Sequence, residues 1–305
     1  MDTKKLVVID GHALVHRAFH ALPPMVSEDG RPVNAVYGFL LVFLKAINDI
    51  QPDHIVSTFD LPGPTFRKEI YKEYKAKRPK APSELYNQIP IIKEILEVFE
   101  VPVFEKPGFE ADDVIGTIAK LSAKQQISPK VEVFIVTGDL DALRLVDEYT
   151  KVYTLRKGLK DTIIYDVDAV KERYNGLVPE QLTDYRALRG DPSDNIPGVN
   201  GIGEKTAIEL LKEFKTLEEL YSALKEMRTP LMKDRIRNLL TQSEEQAFFS
   251  KTLAEINTEV EIDFNLKDCK KVALDKDKII HKFKELGFYS LIKRLPEGDV
   301  WLGEF

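Results

Sequence analysis

The sequence predicts an α/β fold with a mainly parallel central sheet flanked by helices, followed by a helical region. Short β-branched runs alternate with helical patterns over the first half of the chain, which is typical of parallel sheets whose strands are joined by helices. After about residue 175 the strand signals fade and helical periodicity dominates. We therefore expect an α/β unit over residues 1–175 and a helical unit over residues 176–305.

The expected strands are short apolar runs that follow one another along the first half. They are Lys5–Ile9, His54–Phe59, Val101–Phe104 and Val131–Thr137, with Lys151–Leu155 and Thr162–Tyr165 as a hairpin at the sheet edge. Helical periodicity is present at Val33–Asp49, Ile89–Phe99, Ala111–Ala123, Pro179–Arg189, Glu204–Phe214, Leu217–Lys225, Ser243–Ile256 and Lys276–Leu286.

The composition excludes several classes of protein. A chain of 305 residues with 43% hydrophobic content can bury a core, so disorder is not expected. The apolar run Leu6–Ile9 is too short for a signal peptide, and the longest apolar stretch, Ala35–Leu44, is too short to span a membrane. A single cysteine, Cys269, excludes an internal disulfide framework. We expect a cytoplasmic protein without membrane contact.

The net charge of −6 at first argues against a nucleic-acid partner, since such proteins usually present positive surface to phosphates. However, nine of the 50 acidic residues are interpreted below as metal ligands, and 44 Lys and Arg outnumber the rest. The basic excess is also concentrated, because residues 61–82 contain seven Lys or Arg against two Glu. The charge distribution is therefore compatible with nucleic-acid binding.

Aspartates recur where the expected strands end. Asp10, Asp60 and Asp139 each follow a strand, and the carboxyl ends of parallel strands open on one edge of a sheet. Each aspartate alone is equally well explained as a helix cap. Their joint occurrence favours a shared site.

Further acids lie just before or within expected helices. Segment Gly108–Ile115 contains three acids within four residues, more than a cap requires, and adjacent carboxylates repel unless a cation is present. The full set of expected metal ligands is Asp10, Asp60, Glu110, Asp112, Asp113, Asp139, Asp141, Asp191 and Asp194. Oxygen ligands suit Mg²⁺ or Mn²⁺, and this many acids indicates at least two ions. Two such ions serve many nucleases in phosphodiester hydrolysis.

Zinc is disfavoured as the metal. Neither Cys269 nor the five histidines form a ligand-spaced cluster. His12, His16 and His20 recur at helical spacing, and we interpret them first as helix or DNA-facing residues.

A basic segment rich in aromatic residues follows Asp60. Phe66, Tyr71 and Tyr74 are candidates for stacking on unpaired bases, and the surrounding Lys and Arg attract phosphates, as expected of a single-strand channel. The alternative is a solvated helix face. On a helix, Lys75 and Arg78 lie three residues apart on one face, within reach of a scissile phosphate.

A glycine-rich turn at Ile196–Ala207 is the second candidate for phosphate binding. Backbone N–H groups at the start of the next helix suit an anion. The expected DNA-binding residues are Gly201, Gly203, Lys205 and Thr206. A Walker loop is excluded because Glu204 interrupts the required Gly-Lys-Ser/Thr. A helix-hairpin-helix DNA anchor at about residues 179–214 is favoured over a bare interhelical turn.

The sequence resembles the 5′-nuclease domain of bacterial DNA polymerase I, within the flap endonuclease family. The similarity covers nearly the whole chain. Its motifs are Val8–Gly11, Ala35–Phe39, Gly108–Asp113, Asp184–Leu188, Gly190–Val199 and Gly201–Ala207. By this resemblance, the family's metal-binding acids fall on the same nine residues, in a PIN-like 5′-nuclease core.

The resemblance also implies a function and partners. A helical arch at about residues 62–96, containing Tyr74, Lys75 and Arg78 as catalytic residues, admits the single strand. The glycine hairpin holds duplex DNA, with a monovalent cation such as K⁺. The implied activity is 5′-3′ exonuclease and 5′-flap endonuclease, in RNA primer removal and DNA repair. Implied partners are DNA with 5′ ends, flaps or nicks, RNA primers paired to DNA, and a C-terminal polymerase domain of a monomeric, nucleoid-associated bacterial chain.

Three alternatives remain. A haloacid dehalogenase-type phosphatase needs Asp-x-Asp after its first strand, where this chain has Asp10-Gly11-His12. A noncatalytic DNA-structure binder keeps the basic segment and the hairpin but has no need of nine acids. A PIN-type ribonuclease shares the acid cluster but does not require the hairpin.

Overall fold

The computed structural model describes residues 3–124, 130–229, 232–271 and 273–295, and within these ranges six strands form one sheet. The strands are β1 (Lys4–Asp10), β2 (His54–Thr58), β3 (Val103–Phe104), β4 (Val131–Thr137), β5 (Thr150–Leu155) and β6 (Thr162–Tyr165). Their spatial order is β3-β2-β1-β4-β5-β6, and neighbours are parallel except the antiparallel pair β5 and β6. The predictions of a mainly parallel sheet and an edge hairpin are confirmed.

Helices flank this sheet in the first part of the chain. They are α1 (Gly11–Ala21), α2 (Asn34–Ile50), α3 (Phe66–Ile70), α4 (Ser83–Tyr86), α5 (Ile89–Val98), α6 (Ala111–Lys124) and α7 (Val167–Arg173). Helix α1 was not among the expected helices, although the helical spacing of His12, His16 and His20 indicated one, because its buried apolar stripe is short. Its first turn is stabilised by Asp10, whose carboxylate accepts a hydrogen bond from the Ala13 N–H at 3.0 Å.

The segment after α3 corrects the sequence analysis. Residues 71–82 contain turns instead of a helix, and Lys75 has a left-handed backbone with φ of 54°. Long-range contacts hold this conformation: the Lys75 N–H donates to the Asp194 carbonyl at 2.9 Å, and the Asn195 amide donates to the Glu73 carbonyl at 2.9 Å. Tertiary contacts therefore override the local helical pattern. Lys75 and Arg78 do not share a helical face.

Helices also dominate the second part of the chain. They are α8 (Leu182–Arg189), α9 (Glu204–Phe214), α10 (Leu217–Lys225), α11 (Asp234–Gln242), α12 (Glu244–Ala254), α13 (Lys276–Glu285) and α14 (Tyr289–Ile292). The predicted helix from Pro179 begins as a 3₁₀ turn, Pro179–Gln181, before α8. Helix α11 was not predicted.

The sheet is buried on both faces, which explains its near-continuous apolar strands. On β1, Val7 and Ile9 face the apolar layer that includes α2 and α5, while Leu6 and Val8 face the layer that includes α6 and α8. Helix α13 belongs to the first layer, where the Phe283 ring centroid lies 6.2 Å from that of Phe99. The last helices, α13 and α14, therefore pack in the same apolar layer as α2 and α5.

Among the described residues, we find no helix that combines the length and the apolar character required to cross a bilayer.

Candidate active site

The carboxyl edge of the sheet opens on a cavity of about 510 Å³. Five of the expected acidic ligands line it: Asp10, Asp60, Glu110, Asp112 and Asp139. Asp10 ends β1, whereas Asp60 and Asp139 lie just beyond β2 and β4. The acids therefore converge as expected at the edge of a parallel sheet.

A second cavity, of about 20 Å³, adjoins the first and shares several lining residues with it. Asp141, Asp191 and Asp194 line the second cavity. The turn after α8 presents two of them, and it is closed by paired backbone hydrogen bonds between Asp191 and Ile196. Eight of the nine expected acids thus lie on the two cavities.

The buried carboxylates differ in their pKa. Burial raises the pKa of Asp10 to about 7, although a hydrogen bond from the Thr137 hydroxyl at 2.6 Å opposes the shift. Burial, together with the charges of Asp10 and Asp139, raises the pKa of Asp112 well above its ordinary value. The pKa of Asp139 is also raised, by burial and then by the charge of Asp141. One side of the site therefore disfavours negative charge in the absence of a compensating cation.

Basic side chains compensate the acids on the other side of the site. The pairs are Lys75 with Glu110 (2.8 Å), Arg78 with Asp194, Arg186 with Asp141 (2.6 Å) and Asp191 (3.0 Å), and Arg144 with Asp141 (3.1 Å). Although burial acts to raise the pKa of Asp141, the charges of Arg144 and Arg186 hold it below its ordinary value. Across the described part of the chain, no group of three His, Cys, Asp or Glu side chains already has its donor atoms gathered as around a bound metal ion.

The donor set nevertheless fits hard divalent cations. The eight acids offer oxygen atoms, the ligands that Mg²⁺ and Mn²⁺ prefer. The charge of Asp139 acts to raise the pKa of both Asp10 and Asp112, so a cation bound beside these carboxylates would offset the cost of their charges.

Asp113 lies outside both cavities, so the structure does not support its expected role as a metal ligand. Its side chain is fully buried and receives two hydrogen bonds from the Arg67 guanidinium, at 2.7 and 2.8 Å. The backbone N–H groups of Glu110 and Asn257 donate to the same carboxylate. The helical turn of α6 directs Asp112 toward the cavities and Asp113 into the protein.

The aromatic residues of the basic segment also depart from expectation. The Tyr74 hydroxyl lies 3.0 Å from a Glu110 oxygen and 3.2 Å from an Asp194 oxygen, either of which can accept its proton. The residue is only 4% exposed, so its ring is not available for stacking. Tyr71 packs edge-on against Phe249, and Phe66 packs against Phe109. Base stacking by these three rings is therefore not supported.

The glycine-rich turn links α8 to α9. Gly198 has φ of +62°, and a Cβ there would lie 2.3 Å from the Gly190 nitrogen, so this turn requires glycine. Gly203 precedes α9 without a side-chain cap, and its surface is open. Gly201 has φ of +86°, Thr206 lies in the first turn of α9, and the Lys205 side chain is 90% exposed. The arrangement leaves the first backbone N–H groups of α9 free for an anion.

Several residues that line the larger cavity were not predicted as site residues. Three histidines and Arg17 project from α1 into the larger cavity. His12 Nδ1 accepts a hydrogen bond from the Asp60 N–H at 3.1 Å, and burial lowers the pKa of both His12 and His16. The helical spacing of these histidines, directly after Asp10, was the signal by which the sequence could have identified them as site residues. Arg144 and Arg186 gave no comparable signal, because they reach the acids only through the fold.

The geometry agrees with comparisons to known sequences. Residues 5–175 match the model of the 5′-3′ exonuclease N-terminal resolvase-like domain, and residues 177–277 match that of the 5′-3′ exonuclease C-terminal SAM fold. DNA polymerase I of Bacillus subtilis is 41% identical over 296 residues, which cover 97% of this chain and 33% of that protein. DNA polymerase I of Chloroflexus aurantiacus is 41% identical over 298 residues, covering 95% and 31%. The chain spans about a third of the length of these curated relatives.

Solved structures share the fold. A bacteriophage T5 5′-exonuclease with bound zinc has a TM-score of 0.68 at 22% identity, with 84% of this chain and 90% of that chain covered. A complex of the T5 flap endonuclease with DNA and metal ions has a TM-score of 0.68 at 20% identity, covering 95% and 96%. The catalytic core of Rad2 with DNA has a TM-score of 0.62 at 18% identity, covering 96% and 93%. Matching in both sequence domains as well as in fold, this chain belongs to the 5′-3′ exonuclease family of nucleases.

Proposed function

We propose that this chain is a structure-specific 5′-3′ exonuclease and 5′-flap endonuclease that hydrolyses DNA phosphodiesters with divalent metal ions. The observation that carries the proposal is the convergence of eight acids, from separate parts of the chain, on two adjoining cavities at the carboxyl edge of the sheet. Family membership and the DNA-bound structures that share the fold support the same activity.

The proposed cofactor is Mg²⁺ or Mn²⁺, with at least two ions. Asp10, Glu110, Asp112 and Asp139 would hold one ion, and Asp141, Asp191 and Asp194 would hold the other, with Asp60 nearby. When bound, such ions polarise the scissile phosphate and lower the pKa of the attacking water.

The chain's own cations act on the phosphate. Lys75 and Arg78 line both cavities, so each lies where a phosphodiester would contact the acids. Their positive charges stabilise the negative charge that develops on the phosphate oxygens during attack. Arg17 lines the larger cavity on the α1 side and binds a neighbouring phosphate of the strand.

The helical unit binds duplex DNA at a surface separate from the cleavage site. The open surface at Gly203 and the exposed Lys205 form the contact, with K⁺ as the proposed monovalent cation.

The proposed domains are a nuclease core over residues 1–175 and a DNA-binding unit over residues 176–305, except that α13 and α14 pack on the core. Within the proposed arch at about residues 62–96, the cavity-lining residues are Arg67, Tyr74, Lys75 and Arg78, whereas α4 and α5 pack in the apolar layer with α2.

The proposed substrates are DNA with 5′ ends, flaps or nicks, including RNA primers paired to DNA, in primer removal and repair. Because the relatives are DNA polymerase I chains of about three times this length, we place a polymerase domain after this chain in a monomeric protein of the bacterial nucleoid.

The test is cleavage of 5′-labelled flap, nicked and single-stranded DNA, and of matched RNA, with Mg²⁺ and with excess chelator. We expect metal-dependent cutting near the flap junction. Asp112→Asn is the matched variant, since it removes a cavity carboxylate and keeps the side-chain volume. Binding without cleavage would indicate a noncatalytic DNA binder, and a preference for single-stranded RNA would indicate a ribonuclease.

A further inference from the structure

A buried ion pair beneath the acid cluster has no role in the function proposed above. Arg67 in α3 and Asp113 in α6 lie 46 residues apart in sequence, and their side chains are 3% and 0% exposed. The guanidinium and the carboxylate meet through two hydrogen bonds, at 2.7 and 2.8 Å. This bidentate geometry fixes the orientation of both groups.

All hydrogen-bonding positions of the Asp113 carboxylate are used. Oδ1 accepts from Arg67 Nη2 and from the Asn257 N–H at 2.8 Å, and Oδ2 accepts from Arg67 Nη1 and from the Glu110 N–H at 3.1 Å. A carboxylate offers about four lone-pair positions. A metal ion would therefore have to displace one of these partners.

The five N–H donors of Arg67 are likewise satisfied. Besides Asp113, they donate to the Leu253 carbonyl at 3.1 Å, to the Glu255 carbonyl at 2.5 Å and to Glu110 Oε2 at 3.2 Å. The guanidinium thus joins α3, α6 and the chain that leaves α12. It also contacts one carboxylate of the active site directly.

Glu110 links this pair to the cavity. Its Oε2 receives hydrogen bonds from Arg67 and from the Tyr74 hydroxyl, and its Oε1 receives one from Lys75 at 2.8 Å. Glu110 lines both cavities, whereas Arg67 lines only the smaller one and Asp113 lines neither. Asp113 is hydrogen-bonded to two cavity-lining residues, to the Arg67 guanidinium and to the Glu110 backbone N–H.

We propose that Arg67 and Asp113 are a positioning pair, in which Asp113 orients Arg67 and Arg67 orients the Glu110 carboxylate for metal binding. Asp113 is then not a metal ligand. The proposal rests on the proposed function for its link to catalysis, but its main test uses metal binding to the DNA-free protein and so is independent of nuclease activity.

The test is a double-mutant cycle on Mn²⁺ binding, measured by electron paramagnetic resonance, with Arg67→Met, Asp113→Asn and the double variant Arg67→Met/Asp113→Asn. Groups that orient a metal ligand typically contribute about tenfold or more to affinity. We expect each single variant to weaken Mn²⁺ binding by about tenfold, and the double variant to weaken it by about the same factor instead of by the product of the two effects. Arg31→Met, which breaks two surface ion pairs of a residue that lines neither cavity, is the control and should bind as the wild type does.

Two results would overturn the proposal. In the first, Asp113→Asn weakens Mn²⁺ binding as strongly as Asp112→Asn does, while Arg67→Met leaves the affinity unchanged or higher. Asp113 is then a direct ligand, because loss of the Arg67 charge by itself favours the binding of another cation. If the double variant folds and binds Mn²⁺ as the wild type does, the pair is only structural. The double variant removes both buried charges together, so it avoids the unpaired charge that destabilises each single variant.

A second readout separates failure of this proposal from failure of the proposed function. Single-turnover flap cleavage should show a lower rate at saturating Mg²⁺ for the double variant, with DNA affinity within about threefold of wild type, since orientation of one ligand acts on the chemical step. If the wild type does not cleave flap DNA, the proposed function is wrong, while the Mn²⁺ cycle still decides whether the pair positions Glu110.

Discussion

Replacement of Asp10 by asparagine is expected to remove a pH-dependent destabilisation of the folded chain. Asp10 is 3% exposed, and burial raises its pKa from 3.8 to about 7. Between these pH values the folded chain holds a proton that the unfolded chain releases, so the free energy of unfolding falls as pH rises. From about pH 5 to pH 8 the expected fall is about 3 kcal/mol, at about 1.4 kcal/mol for each pH unit up to the folded pKa.

The assay is urea unfolding of wild type and Asp10→Asn across this pH range, in excess chelator. Asparagine is uncharged throughout this pH range and can still accept one of the two hydrogen bonds, from Ala13 or Thr137. The free energy of unfolding of Asp10→Asn should therefore fall less steeply with pH than that of the wild type. The difference between the two proteins reports the titration of Asp10 together with its effect on Asp112, whose pKa the charge of Asp10 raises. Curves that stay parallel from pH 5 to pH 8 would refute the assignment. Saturating Mg²⁺ should favour the charged form and stabilise the wild type more at pH 8 than at pH 5.

Three further predictions concern cleavage and DNA binding. Lys75→Ala and Arg78→Ala should slow single-turnover flap cleavage by about 10²–10³, with a smaller effect on duplex affinity, because their charges act on the developing transition state; a change in affinity alone would assign them to steering. Gly203→Val should raise the dissociation constant for flap DNA with a duplex and spare unpaired oligonucleotide, since a side chain blocks the phosphate; equal losses on both would indicate a structural turn. Lys205→Ala should reduce the salt-dependence slope of duplex binding by about one, as measured by a salt titration, and an unchanged slope would exclude a phosphate contact.

The sheet and most of the acid cluster were predictable from sequence because their signals are local. Strands buried on both faces are near-continuous apolar runs, and β1 and β4 carry this pattern. An acid that follows such a strand must lie at the carboxyl edge of a parallel sheet, whatever the rest of the chain does. Asp10, Asp60 and Asp139 were therefore placed on one edge without knowledge of the fold.

Only the tertiary structure decided the conformation of residues 71–82 and the roles of the residues around Asp113. The basic segment has a helical pattern, yet hydrogen bonds to Asp194 and Asn195, over 100 residues away, hold it in turns. Asp112 and Asp113 are adjacent acids, and the sequence gives no reason to prefer either as a metal ligand. In the structure Asp112 lines the cavities, whereas Asp113 is buried against Arg67. Such choices depend on partners distant in sequence, and local periodicity and composition contain no information about which partner the fold will bring within hydrogen-bonding distance.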